Sequence, residues 1–295
     1  MPASSHKAVP AFKTGPELDA SAMGGKRIHS SPAARELKPL KPLLKWAGGK
    51  RWLRPQVADM FSAHHNKRLV EPFCGALGIT LGLRPRKALL NDVNPHAINF
   101  HRQVQAGLKI RLRMNNDREL YLSHREQFNA LILAGRANTK KAASLFYFLN
   151  RTGYNGLCRF NQKGLYNVPF GRYNTINYRR DFTDYQDVFG DWEITCGDFQ
   201  SIRLKPTDFI YADPPYDVEF RQYSAGGFPW KDQERLAHWL AKHEGPVVAS
   251  NQATDAILKL YNGLGFDIET LPGPRAISRT GDRTPAQEML AVKGL

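Results

Sequence analysis

FIYADPPY, at positions 209–216, joins a short apolar run to an acid, two prolines and a tyrosine. The apolar residues 209–212 predict a buried strand. Pro214 and Pro215 have no N–H to donate and fix their own φ, so the strand must end before them. In open α/β sheets ligands bind at the carboxyl ends of the strands. The stretch therefore predicts a stiff ligand-binding turn that begins at Asp213.

These residue types suit a planar base with an exocyclic amine. An aryl amine is a weak nucleophile, because its lone pair is delocalised into the ring. The carboxylate of Asp213 and the carbonyl of Pro214 can both accept its N–H bonds and draw the nitrogen towards a tetrahedral shape. Tyr216 can stack on the base, a contact worth about 1–3 kcal/mol in single-stranded nucleic-acid sites. By itself, the tetrapeptide favours this functional interpretation, and the alternative is a proline turn with a surface acid and a packed tyrosine.

Strand and helix patterns alternate along much of the chain, which predicts an α/β fold. Further strands are expected at Leu69-Val70, at 87–90 ending in Asn91-Asp92, at 194–196 before Gly197-Asp198, and at 246–249 ending in Ser250-Asn251. Helices are expected from about 76 to Leu83, over most of 94–150 and over 233–243, with strands and turns from Phe266 onward. An acid that closes the second strand of a βαβ unit is typical of a nucleoside-binding fold.

Composition indicates a polyanionic partner. The chain has 295 residues, 42% of them hydrophobic, and a net charge of +15, with an isoelectric point of about 9.8. No apolar stretch approaches the roughly 18 residues of a membrane span, and we expect no signal peptide and no membrane partner. Nucleic acid is therefore the leading partner class. Residues 1–40 are rich in Ala, Ser, Pro, Lys and Gly and are expected to form a disordered basic arm.

The three cysteines are far apart in sequence, and this spacing favours neither a disulfide framework nor a zinc site. We expect a protein of the reducing cytoplasm, monomeric and without a bound metal. The chain alone does not identify protein partners.

Residues 151–180 have the composition of a DNA-facing surface. The window holds six Lys and Arg residues, six aromatic residues and no acid. Tyr154 has a ring that can enter the base stack, and Asn155 and Asn161 have amides that can pair with an orphaned base. Arg159 and Arg172 can bind guanine or phosphate, and Pro169 can contact a thymine methyl group.

KWAGGK, at positions 45–50, places a large ring and two cations around a glycine pair, which allows close approach of a ligand to the backbone. Gly75 precedes Asp92 by a spacing close to that between a glycine turn and a ribose-binding acid. Without the G-x-G-x-x-G pattern, NAD is not expected. S-adenosylmethionine, a nucleoside cofactor without phosphates, fits better and carries an electrophile for an activated amine.

The chain resembles the Dam family of adenine-specific DNA methyltransferases. The resemblance rests on several runs in the family's order: LKWAGGKR at 44–51, VEPFCG at 70–75, LNDVN at 90–94, LNRTGYNGLCRFN at 149–161, YNVPFGRY at 166–173 and ADPPY at 212–216. Ser250-Asn251 and Arg275-Ala276-Ile277-Ser278 resemble later motifs of the family. The runs cover most of residues 43–290.

The resemblance implies a Rossmann-like class I methyltransferase sheet with helices on both faces and an inserted, mostly helical target-recognition domain. The catalytic domain would comprise 41–98 and 176–295, and the insertion 99–175. Transfer of a methyl group from S-adenosylmethionine to adenine in duplex DNA is the implied activity. Asp213, Pro214 and Tyr216 would be catalytic. The implied cofactor contacts are Trp46, Lys50, Phe73, Gly75, Asp92, Asp198 and Asp213.

For DNA, the resemblance implies that Tyr154 intercalates. Arg172 would read a guanine with Tyr173 beside it, and Lys45 would read the first guanine. This pattern implies recognition of G-A-T-C. Two alternatives are a methyltransferase that acts on RNA or on a cytosine amine, and a non-catalytic DNA-binding protein on the same scaffold.

Overall fold

The computed structural model describes residues 40–216, 228–274 and 286–295. The basic arm predicted for 1–40 lies outside the described residues except for its last position. The late motif at 275–278 lies outside them too.

Seven strands form one mixed sheet in the order β3-β2-β1-β4-β5-β7-β6. The strands are β1 Leu69–Glu71, β2 Ala88–Asp92, β3 Glu193–Cys196, β4 Phe209–Ala212, β5 Val247–Gln252, β6 Asp267–Gly273 and β7 Ala286–Lys293. The first five pair in parallel, whereas β7 is antiparallel to both β5 and β6. The strand order changes direction between β1 and β4: β2 and β3 lie on one side of this point, and β5 lies on the other. The carboxyl ends of β1 and β4 therefore flank the crevice where such sheets bind ligands.

Helices cover both faces of the sheet, as predicted. Their bounds are α1 Arg54–Ser62, α2 Thr80–Leu83, α3 Pro95–Gln105, α4 Arg118–Leu133, α5 Lys140–Thr152, α6 Thr183–Phe189, α7 Trp230–Ala241 and α8 Asp255–Gly263. Successive side chains of β4 divide between the faces because a strand alternates its side chains. Phe209 and Tyr211 pack in the cluster of α1, and Ile210 and Ala212 pack in the cluster of α7 and α8.

The segment between α3 and α6, residues 106–182, contributes α4 and α5 and no strand of the described sheet. Helix α5 packs against both α3 and α4 and has ten buried positions. The boundary predicted between 98 and 99 falls inside α3, because that helix starts directly after β2 at the Asn94 cap and continues to Gln105. In the described ranges, no helix is both long and apolar enough to cross a bilayer.

Two elements differ from the sequence prediction. The helix expected soon after Gly75 begins only at Thr80, because Leu77 has a φ of +61° and donates to the Cys74 carbonyl in a tight turn. The strand expected at 246–249 continues through Gln252, since it pairs with β7 along that whole length.

Candidate active site

A cavity of about 760 Å³ opens at the carboxyl ends of β1, β2 and β4. This volume is in the range of small-molecule sites. Six of the seven predicted cofactor contacts line it: Trp46, Lys50, Phe73, Gly75, Asp92 and Asp213. Pro214 and Tyr216 line it as well. The topology therefore brings together residues from four separated stretches of the sequence.

The carboxylate of Asp213 is held from two sides. Lys50 Nζ lies 3.1 Å from its Oδ1, and Ser250 Oγ donates to the same oxygen at 3.0 Å. Ser250 is itself 3.0 Å from the hydroxyl of Tyr211, in the interior of the sheet. The Asp213 side chain is 21% exposed, whereas Lys50 is 5% exposed. The acid is thus oriented from within the protein and keeps an accessible side.

The ring of Tyr216 forms the adjoining wall. Lys50 Nζ lies 4.3 Å from the ring centre and also donates to the Gly48 carbonyl at 2.9 Å. The Tyr216 hydroxyl donates to a carboxylate oxygen of Glu288 on β7. Burial, followed by the nearby charges of Asp213 and Glu288, raises the pKa of Tyr216 far above its ordinary value. Tyr216 therefore remains a neutral phenol with a fixed ring.

Asp92 fixes the glycine loop of the cavity. Its Oδ2 accepts from the Gly75 N–H at 2.9 Å and its Oδ1 from the Asn94 N–H at 2.9 Å. Burial raises the pKa of Asp92, and these backbone donors act in the opposite direction. Gly75 has a φ of +43°, and a Cβ there would stand 2.7 Å from Nε1 of Trp46. The indole therefore packs directly on the glycine that Asp92 holds.

Glu71 lies buried in the cavity wall, at the end of β1. Its Oε1 accepts from the Thr80 N–H at 2.9 Å. The pKa of Glu71 is raised to about 8. Burial is the largest cause, and the charge of Asp213 acts in the same direction. The cavity thus places the side chain of Asp213 close to an acid whose pKa is raised to about 8.

Asp198 is the predicted cofactor contact that the structure places elsewhere. It follows β3, but its two carboxylate oxygens accept from Arg235 of α7 at 2.9 and 2.7 Å. This pairing and the Gln200 N–H lower the pKa of Asp198. The residue is absent from the described cavity lining. A cofactor role for Asp198 therefore stays a prediction.

Lys45 links the cofactor cavity to the segment predicted to face DNA. Its backbone N–H and carbonyl both bond to the side-chain amide of Asn150 at 2.8 Å. Its Nζ donates to the Arg151 carbonyl at 3.0 Å and lies 3.5 Å from the centre of the Tyr173 ring. Burial and, less strongly, the charge of Arg151 lower the pKa of Lys45 to about 8. The cation is held immediately beside Trp46.

The loop that carries Tyr154 is rigidly braced while its ring is exposed. Tyr154 donates its N–H to the Pro169 carbonyl at 2.9 Å, and its side chain is 50% exposed. Asn155 has a φ of +50°, a conformation that asparagine tolerates better than most residues. Pro169 and Arg172 are also exposed, and both border a smaller cavity of about 320 Å³ with Arg125.

Two other predicted DNA contacts have structural partners. Arg159 donates from Nε and Nη2 to the side chain and backbone of Asn167, at 2.8 and 3.0 Å. The amide oxygen of Asn161 accepts from the Lys163 and Leu165 N–H groups at 3.0 Å. Any pairing of Asn161 with a base must therefore use its amide nitrogen.

The family model for D12 class N6 adenine-specific DNA methyltransferases matches residues 46–277. The chain belongs to this family. A DNA adenine methylase of Vibrio cholerae is 33% identical over 278 residues, covering 87% of this chain and 97% of that protein. The retron Ec67 DNA adenine methylase of Escherichia coli is 30% identical over 269 residues, covering 86% and 92%. A DNA N-6-adenine-methyltransferase of Escherichia phage P1 is 31% identical over 286 residues, covering 89% of this chain but 37% of that longer protein.

Membership in the D12 class makes this protein a DNA adenine methyltransferase, and the class depends on S-adenosylmethionine. The cavity fits that cofactor chemically. Asp92 supplies acceptors for hydroxyl groups, and neighbouring Val93, 69% exposed, supplies apolar surface in the same lining. Trp46 adds an aromatic wall. In the described ranges, no group of three or more His, Cys, Asp or Glu side chains is placed to hold a metal ion.

Sequence reasoning assigned no role to two residues that hold the D12 site in place. Glu288 accepts from Tyr216, and the fully buried Gln233 donates to the Pro215 carbonyl at 2.9 Å. The available signal was weak: one acid within the apolar run AQEMLAV, and one glutamine in a helical pattern.

Proposed function

We propose that this DNA adenine methyltransferase transfers a methyl group from S-adenosylmethionine to the exocyclic amine of an adenine turned out of duplex DNA, within G-A-T-C. The observation that carries the proposal is the position of Asp213 and Tyr216 in the same cavity as Trp46 and Asp92. The residues expected to hold the methyl donor and those expected to hold the acceptor line one cavity, whereas an adenine inside a duplex has no access to such a pocket.

The chemistry needs no covalent enzyme intermediate. The carboxylate of Asp213 and the carbonyl of Pro214 accept the two N–H bonds of the amine, so the nitrogen lone pair is directed at the methyl carbon. The N–C bond would form as the S–C bond of S-adenosylmethionine breaks. S-adenosylhomocysteine would leave as a neutral thioether, and the methylated nitrogen would release one proton to solvent. Lys50 and Ser250 hold Asp213 in place, which removes the cost of orienting it during the reaction.

Lys45, Tyr154 and Arg172 support the DNA part of the proposal. Tyr154 offers an exposed ring on a braced loop, and Arg172 an exposed guanidinium suited to guanine O6 and N7. Lys45 stands between this surface and Trp46. The net charge of +15 favours the phosphate backbone.

Methyl incorporation into synthetic duplexes tests the function. The test duplex carries one G-A-T-C site, and its matched controls change either the adenine or one guanine. We expect tritiated methyl from S-adenosylmethionine to enter the test duplex alone, with the product identified as N6-methyladenine. Label in cytosine or RNA, or equal label in the guanine control, would contradict the proposal.

A further inference from the structure

Gln233 is a polar residue with 0% exposure, on the first turns of α7. Its Nε2 donates to the carbonyl of Pro215 at 2.9 Å. Its Oε1 accepts from Nδ2 of Asn251 at 3.0 Å, and Asn251 is also 0% exposed. A buried amide of this kind is costly unless it is bonded, so the arrangement around it is strongly specified.

The network fixes which end of each amide points where. Asn251 Oδ1 accepts from the Gln252 N–H at 2.8 Å, so its Nδ2 is the end that meets Gln233. Gln233 must then present its oxygen to Asn251 and its nitrogen to Pro215. A proline carbonyl can only accept, which agrees with this orientation.

We propose that Gln233, oriented by Asn251, is a positioning residue for methyl transfer, and this inference rests on the function proposed above. Pro215 has no N–H, and its preceding neighbour is also a proline, so neither central residue of the turn can donate a backbone hydrogen bond. Gln233 supplies the missing donor from α7. In the described part of the chain, no donor reaches the carbonyl of Pro214, and that carbonyl is the one left for the target amine.

Loss of the Gln233 side chain should slow the methyl-transfer step itself. Gln233 bonds to the backbone two residues beyond Asp213, and it is absent from the described cavity lining. Its loss shifts the two acceptors of the amine relative to the methyl group, and a misplacement of about 1 Å costs on the order of 100-fold in rate. Most of the expected cofactor and DNA contacts, among them Trp46, Asp92 and Tyr154, lie on other segments, so the two affinities are expected to change little.

Gln233→Glu tests the positioning role because it keeps the size of the side chain but removes the amide donor. Gln103→Glu is the matched control. Gln103 bonds to Asn99 of its own helix α3. Full-length proteins are compared in single-turnover methyl transfer to the G-A-T-C duplex, at several pH values, with binding of DNA and S-adenosylmethionine measured separately. For Gln233→Glu we expect affinities within about twofold of the parent and a rate lower by about 10- to 100-fold at alkaline pH. Acidification should recover part of the rate, because the protonated carboxyl can again donate to Pro215.

A parent-like rate for Gln233→Glu at every pH would overturn the inference while leaving the proposed function intact. A loss confined to cofactor or DNA affinity would overturn it too. If Gln233→Glu does not fold, Asn251→Asp replaces it, because the new carboxylate draws Gln233 Nε2 away from Pro215 and the same rate loss is expected. A parent protein that does not methylate adenine in the duplex would overturn the proposed function and, with it, this inference.

Discussion

Buried Lys50 and half-buried Asp213 form a 3.1 Å ion pair between the glycine loop at 45–50 and the turn after β4. The ammonium group of Lys50 also faces the ring of Tyr216 at 4.3 Å. A cation therefore stands between the acid that accepts the amine and the ring on which the base stacks. A base that enters this space must compete with Lys50 for both groups.

Asp213→Ala is expected to lower the rate of methyl transfer by at least about 10²- to 10³-fold, because it removes both the amine acceptor and the partner of Lys50. DNA affinity should change little. Single-turnover transfer and duplex binding measure the two effects, with Asp267→Ala on the exposed strand β6 as control. Near-parent turnover of Asp213→Ala would rule out the proposed mechanism.

Gly75→Ala is expected to weaken binding of S-adenosylmethionine more than binding of DNA. The added Cβ meets the Trp46 indole at 2.7 Å and must displace it. Gly135→Ala is the control: its φ is +67°, comparably strained, but nothing lies within 4 Å of the new Cβ. Titration of each variant with the cofactor separates the two effects. Equal losses in both variants would show that backbone strain, not Trp46, sets the affinity.

Arg172→Ala is expected to relax sequence choice and to leave cofactor affinity unchanged. Loss of a bidentate guanine contact removes about 1–3 kcal/mol of discrimination against a site altered at that guanine. Competition between the G-A-T-C duplex and the altered duplex measures this loss of discrimination. Arg179→Ala is the control, since Arg179 pairs with Asp184 at 2.8 Å. If Arg172→Ala lowers affinity for both duplexes equally, Arg172 binds phosphate.

Glu71→Gln is expected to reduce the loss of stability that accompanies a rise in pH from 4.5 to about 8. The pKa of Glu71 is about 8 in the folded protein against an ordinary 4.5, so between these values the unfolded state holds fewer protons at this group. The contribution of Glu71 to stability is full below 4.5 and is lost as pH rises to about 8. Melting temperatures across this range should fall less steeply for Glu71→Gln. Parallel curves for the parent, Glu71→Gln and the exposed control Glu126→Gln would refute the assignment.

Local rules were enough to predict the core of the site. Pro214 and Pro215 end β4 by their own geometry, and Asp213 must then stand at its carboxyl end. Gly75 and Asp92 close neighbouring parallel strands, so their meeting follows from topology. These features depend on short sequence motifs and on the parallel order of the strands, and both can be predicted from sequence patterns.

Side-chain contacts between elements far apart in the sequence could not be predicted from local sequence patterns. Asp198 follows β3 as expected, but its carboxylate pairs with Arg235 of α7. Gln233 and Glu288 reach the proline turn from α7 and β7, elements that follow it in the chain. The helix start at Thr80 depends on the turn at Leu77, where a leucine adopts a conformation rare for its type.

The bond between Tyr216 and Glu288 has a consequence for synthesis of the protein. Glu288 lies on β7, which follows the other six described strands in the chain, and β7 must insert between β5 and β6 to bring the acid to the tyrosine. The segment that carries Tyr154 and Arg172 is translated much earlier. A nascent chain that has not yet reached β7 can therefore present its DNA-facing loop but lacks Glu288, a hydrogen-bond partner of Tyr216, so the site takes its final geometry only after β7 has been synthesised.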